Sequence, residues 1–129
     1  MTEAAERWMS FAREDLRMAE LALASDIYNQ VGFHSQQCVE KVLKALIAEQ
    51  GLIIPRTHAI TDLLGKLPRG CVLGSKDDLS FLDDFYIPAR YPDALPGALP
   101  EGLPGKMEAE QALHLARQVM QEGIRMLAC

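Results

Sequence analysis

An all-α fold, an antiparallel up-and-down helical bundle of about five helices, is what this sequence predicts, on three observations. Strand formers are scarce, since five Val, seven Ile and three Thr stand against a chain dominated by Ala, Leu, Met, Glu, Gln, Lys and Arg. Apolar residues recur at spacings of three and four through three long stretches, the period of a helix buried on one side. Prolines and turn residues fall between those stretches rather than inside them. At 129 residues the chain can bury one core but not a second, so one domain over residues 1–129 is expected.

The first helix is expected over about 3–24, where Ala5, Trp8, Ala12, Leu16, Ala19 and Leu23 share a face and Glu3, Glu6, Arg13, Glu14, Arg17 and Glu20 lie opposite. One charged residue breaks the pattern: Asp15 points between the directions of Trp8 and Phe11. Ser25-Asp26 reads as a turn or cap. A second long helix follows over about 28–50, with Gly51 as the glycine just beyond its end. Its apolar face is Val31, Cys38, Val39, Val42, Leu43 and Leu46, while His34, Gln37, Lys41 and Lys44 form a narrow polar stripe along its axis.

Pro55 closes the loop 51–56, and Thr57 can cap a short helix carrying Ile60, Leu63 and Leu64 that stops before Pro68. Ser75 can cap a further helix with Asp77 and Asp78 in its first turn, where negative charge suits the helix dipole. Leu79, Leu82 and Phe85 are its expected buried side. Five prolines between Pro88 and Pro104 exclude a regular helix from 91–105. A last helix over about 106–127 should bury Ala109, Ala112, Leu113, Ala116, Val119, Met120 and Ile124.

A formal net charge of −5 argues against a general nucleic-acid coat protein, which needs a basic surface to displace phosphate counterions. Cys38, Cys71 and Cys129 form no CxxC pair and stand near no histidine cluster, so free thiols in a reducing compartment are expected, with no metal site and no cofactor. No run approaches the roughly 18 apolar residues of a membrane span, and the first residues do not read as a secretion signal. Contact with a membrane is not expected, and the expected location is cytoplasmic.

Four features could carry chemistry. The stripe on the second helix is rich in donors, and Lys41 and Lys44, one turn apart, would suit phosphate oxygens. A solvated helix face explains the stripe as well, and Glu40 could instead pair with Lys44 at the favourable i,i+4 spacing. A carboxylate among apolar neighbours, as Asp15 is, must be paired, hydrogen-bonded or neutralised, with Lys41, Lys44 and Arg90 as the available cations. In Tyr86-Ile87-Pro88-Ala89-Arg90-Tyr91-Pro92-Asp93, Arg90 sits on a backbone stiffened by prolines and is preorganised for bidentate contact with a carboxylate or phosphate. His58 is a lone histidine at a helix start, a place where packing or capping satisfies most histidines. There is no glycine-rich phosphate loop and no paired-histidine metal motif.

These residues also carry a resemblance. Phe33-His34-Ser35-Gln36-Gln37-Cys38-Val39-Glu40-Lys41-Val42-Leu43-Lys44-Ala45-Leu46 resembles the HEPN domain. So do Asp15-Leu16 upstream, Thr57-His58 after a proline loop, and Ala89-Arg90-Tyr91-Pro92 before the last helix, a combination spread over roughly residues 8–127. The resemblance implies a homodimer with a cleft near its axis, built from the second helix and the Arg-bearing region. It also implies a minimal nucleotidyltransferase as partner, in a toxin–antitoxin-type pair. The ribonuclease branch of that family places a His a few residues after its Arg; here the next histidine after Arg90 is His114, so that motif is broken. The Thr-His-Asp signature appears as Thr57-His58-Ala59, without its carboxylate.

The reading is therefore a nucleotide-binding partner of a nucleotidyltransferase, with Lys41, Lys44 and Arg90 receiving phosphate, Tyr91 or His34 contacting base or ribose, and Gln37 in the same stripe. A metal-independent endoribonuclease acting on RNA, with Arg90 stabilising the phosphorane and His58 or His34 supplying the acid or base, is the alternative. A non-catalytic module whose stripe meets an acidic partner surface is the third. If Arg90 closes on phosphate as a fork, Arg90→Lys should lose nearly as much nucleotide affinity as Arg90→Ala, about ten- to a hundredfold for a charge-assisted contact of roughly 1.5–3 kcal/mol. Isothermal titration of the two variants checks this, and an unchanged affinity in Arg90→Ala would move the anion site elsewhere.

Overall fold

The computed structural model describes residues 1–67, 73–86, 97–99 and 102–128. It contains five helices among those residues: α1 (Glu3–Ala24), α2 (Tyr28–Glu49), α3 (Ile60–Leu64), α4 (Lys76–Asp83) and α5 (Lys106–Leu127). The element beyond helices is a single isolated bridge, Leu99 to Gly102, inside the proline-rich connection. Among the described residues no helix is long and apolar enough to cross a membrane.

Local chemistry sets the helix ends. Thr2 caps α1 by accepting from the Ala5 amide, and Ser75 caps α4 by accepting from Asp78. At the other end of α1, Asp26 takes a left-handed conformation (φ 57°), and the amides of Asp26 and Ile27 return to the carbonyls of Leu23 and Ala22. That pair of bonds is a Schellman closure, so Ser25-Asp26 ends α1 and does not cap α2, whose first turn has no side-chain cap. Gly51 (φ 73°) closes α2 in the same way, with the Gly51 and Leu52 amides bonded to Ala48 and Ile47. The two long helices thus form an antiparallel hairpin, tied at its open end where the Thr2 amide donates to Glu49 at 2.6 Å.

The expectation that Thr57 caps α3 needs correction. Ala59 is the capping residue and brings no side-chain bond. The first amides of α3 are satisfied from α4 instead: Asp83 accepts from the Ile60 amide at 2.7 Å and from the Thr61 amide and hydroxyl, each at 3.1 Å. Thr57 uses its hydroxyl to accept from the Ala59 amide and to donate to Asp62. A five-residue helix is too short to hold itself, and a carboxylate from another helix supplies what its own sequence lacks.

α2 packs against each of the other four helices. Its buried residues run around its circumference, Val31, Cys38, Val39, Val42, Leu43 and Leu46 on the expected face but also Ser35, Gln36, Glu40 and Lys44. Two glycines permit the closest approaches. A Cβ on Gly32 would collide with the ring of Phe85, the largest fully buried side chain, and one on Gly123 would collide with Val42. Gly123 also explains a second correction: it occupies the centre of the buried stripe of α5, so Ile124, expected in the core, is turned aside and 43% exposed. Phe11 is likewise 50% exposed, on the outer shoulder of α1.

Cys38 is buried, and burial together with the nearby Asp15 carboxylate pushes its thiol up to about 12, so it remains protonated and inert at neutral pH. Gly32→Ala and Gly123→Ala should each destabilise the protein by about 1–3 kcal/mol through overpacking. Gly65→Ala, where the added carbon meets nothing closer than 3.7 Å, should be near neutral. Urea unfolding followed by circular dichroism compares the three; a Gly32→Ala protein as stable as the parent would mean that Phe85 does not sit against α2.

Candidate functional site

The polar stripe of α2 faces α1 and the 57–58 segment rather than solvent. Asp15 of α1, 7% exposed, accepts from Lys41 through Oδ2 and bonds His34 Nδ1 through Oδ1 at 2.8 Å. His34 and Lys41 are two turns apart on α2, so one carboxylate bridges both. An ionised carboxylate only accepts, which places the proton of His34 on Nδ1.

Half a turn further along α2 a second carboxylate does the same. Glu40 accepts from Lys44 Nζ at 2.7 Å and bonds His58 Nδ1 at 2.9 Å, both through Oε1, and its Oε2 accepts from Gln37 Nε2 at 3.0 Å. The side chains of Glu40 and Lys44 are 3% and 9% exposed, so the i,i+4 pair is an interior ion pair and not a solvated face. Lys44 Nζ also lies 5.3 Å from the centre of the Trp8 ring. Gln36, fully buried, passes its amide proton to the His58 carbonyl at 2.8 Å and holds the backbone of that segment against α2.

His58 differs from the other members of this network in being 57% exposed. It does not cap α3. Its ring lies 4.9 Å from that of Tyr86, which in turn stacks on Phe33 at 6.4 Å. With Nδ1 donating to Glu40, Nε2 is left as the acceptor. Burial, and then the Glu40 charge, raise the Tyr86 phenol above its ordinary value, so it is a neutral donor at physiological pH.

His58 and Tyr86 line a cleft of about 340 Å³ together with Arg56, Thr57, Ala59 and Asp83. A second cleft, of about 370 Å³, borders the same segment and shares Arg56, Thr57 and His58, with Trp8, Lys44, Ile54 and Pro55 as its further walls. Asp83 is occupied by the amides of α3. Arg56 is exposed and has no carboxylate partner among the described residues. No group of three His, Cys, Asp or Glu side chains among the described residues could hold a metal ion.

The expected site residues thus separate. His34, Gln37, Lys41 and Lys44 are brought together, but Lys41 and Lys44 are each engaged by a carboxylate, and Asp15 and Glu40 are the carboxylates. His58 joins them through Glu40. Arg90 and Tyr91 lie outside the described residues. Sequence reading missed Arg56, Trp8 and Tyr86 as cleft walls; the adjacency of Arg56 to Thr57-His58 was the available signal.

The HEPN domain profile matches residues 5–127. A Methanocaldococcus jannaschii protein named a "putative toxin" is 28% identical over 91% of this chain and 84% of its own length. A Thermus thermophilus protein of known crystal structure is 33% identical, with a TM-score of 0.77 over 96% of this chain and 98% of that one. An archaeal HEPN homologue is 32% identical with a TM-score of 0.73 over 97% and 98%. A HEPN domain protein of Thermotoga maritima, 23% identical with a TM-score of 0.68 over 95% and 98%, shares the fold.

Removal of one member of the buried Glu40–Lys44 pair should be costly. Glu40→Gln should destabilise the protein by about 3–5 kcal/mol, because Lys44 is left charged and unpaired in the interior, while Glu40→Leu combined with Lys44→Met should recover most of the loss. Chemical denaturation of the single and double variants measures this; a loss below about 1 kcal/mol in Glu40→Gln would place the pair in water.

Proposed function

The chain belongs to the HEPN domain family, and on that premise we propose that it is a nucleotide-binding protein, the homodimeric partner of a minimal nucleotidyltransferase in a toxin–antitoxin-type pair. The observation that carries the nucleotide reading is the cleft over His58: an exposed imidazole, held by Glu40 and laid beside Tyr86, lines it with a guanidinium that has no carboxylate partner among the described residues. Arg56 offers a phosphate the bidentate fork, and the Tyr86 and His58 rings offer apolar surface and donors to a base or ribose. The stripe lysines take a lesser part in this reading than their spacing suggests, because releasing Lys41 or Lys44 to a phosphate would strand Asp15 or Glu40. Arg90 and Tyr91 remain in the proposal through the proline-flanked motif. The M. jannaschii relative, a toxin by name, is in keeping with the toxin–antitoxin setting.

The endoribonuclease reading is favoured by one feature, the Glu40–His58 pair. A carboxylate that sets the imidazole tautomer and leaves Nε2 open is the geometry of a general base. It acts here without the histidine that the family's ribonuclease motif would place after Arg90.

A thermal-shift panel of AMP, ADP and ATP on the purified protein tests the proposal, since a ligand at a hundred times its Kd stabilises by about 2.7 kcal/mol. Arg56→Ala and His58→Ala should lose the shift while keeping the melting temperature of the free protein. Light scattering should give a dimer, and the nucleotidyltransferase should co-purify. No shift with any nucleotide would remove the nucleotide reading, and cleavage of RNA in EDTA, abolished by His58→Ala, would replace it with the ribonuclease one.

A further inference from the structure

The two clefts that share Arg56, Thr57 and His58 have no separate explanation in a mononucleotide site. Each is near the lower end of the volumes that small-molecule sites occupy. Each has an aromatic wall that the other lacks, Tyr86 in one and Trp8 in the other, and the His58 ring borders both. The exposed guanidinium of Arg56 lies on their common border, where an anion bridging the two would meet it. Carboxylates near the clefts are already spoken for: Glu40 by Lys44, His58 and Gln37, and Asp83 by the first turn of α3. A negatively charged bridge at that border therefore meets Arg56, which has no carboxylate partner among the described residues, while Asp83, bonded by neutral donors, walls the Tyr86 cleft alone.

We infer that the ligand of this site carries two nucleosides joined through phosphate, one base against the Tyr86–His58 wall, the other against Trp8, and the bridging phosphate on Arg56. This deepens the nucleotide-binding reading and rests on it. Aromatic surfaces accept any base by its face, and phosphate is read by the fork, so the site selects two bases and a linkage before it selects a sequence. Two sources share that chemistry, the end of a single strand with a 3′–5′ linkage and a free dinucleotide with a 5′–5′ pyrophosphate.

Trp8 is the single tryptophan of the chain, so its emission reports the second cleft directly. The full chain is titrated with AMP, with the dinucleotide pApA and with diadenosine 5′,5′-pyrophosphate, by calorimetry and by Trp8 fluorescence. A two-base probe should bind at least about tenfold more tightly than AMP, the gain that stacking a second base brings. It should also change Trp8 emission where AMP does not, and the probe that does so identifies the source. Trp8→Leu should bring the two-base probe down to the affinity of AMP; the wild-type comparison alone decides the matter if that variant fails to fold. AMP binding with no gain from either dinucleotide overturns the two-base inference and leaves the nucleotide reading standing. Binding of none of the three overturns both.

Discussion

The rest of this structure depends on the position of α2. Packed against four other helices, α2 has no exposed residue; its buried Ser35 hydroxyl has no hydrogen-bond partner among the described residues, and the charged donors of its stripe must be satisfied within the protein. Asp15 and Glu40 do this. Each is a buried carboxylate that takes one lysine and one histidine, and between them they hold the donors of the stripe from His34 to Lys44. An interior ion pair adds little net stability over an apolar one of the same shape but is costly to break; Asp15–Lys41 joins α1 to α2, whereas Glu40–Lys44 lies within α2 and reaches the 57–58 segment through His58.

Around that helix the smaller elements are held by borrowed groups. α3 has neither the length nor the cap to stand alone, and its first amides are satisfied by Asp83 of α4. Gln36 of α2 reaches the carbonyl of His58 just ahead of it, and the amide of Gly97 returns to the carbonyl of Phe85, whose ring covers Gly32. The 57–61 segment is therefore positioned by the buried Gln36 amide and the half-buried Asp83 carboxylate, which keeps a surface histidine in one orientation without burying it.

The same carboxylate serves stability and site. Glu40 neutralises Lys44 in the interior and sets the tautomer of His58 at the surface, so a change that loosens the core also changes the proton-accepting face presented to the cleft. Such sharing explains why the site has few free charges of its own: in a chain of net charge −5, the cation left for an anionic ligand among the cleft residues is Arg56.

The sequence by itself determined the class and the long helices. The three- and four-residue periodicity of α1, α2 and α5, the Ser75 cap and Gly51 are local features, and local energetics place helix ends. It also marked Asp15 as a residue needing a partner, since an unpaired carboxylate inside a protein is too costly to persist, and offered Lys44 to Glu40 at the i,i+4 spacing. Only the tertiary structure decided which of the offered cations Asp15 takes, and that His34 and His58 join the two carboxylates. Periodicity describes one helix at a time, so it showed one polar stripe on α2 where packing turned its half-buried donors onto two buried carboxylates and put Lys44 in the interior. It gave Thr57 the cap that Asp83 supplies from α4, and set Ile124 in a core whose centre Gly123 occupies. Arg56, Trp8 and Tyr86 have no spacing in common along the chain, and the clefts exist because three separate elements are pressed against α2.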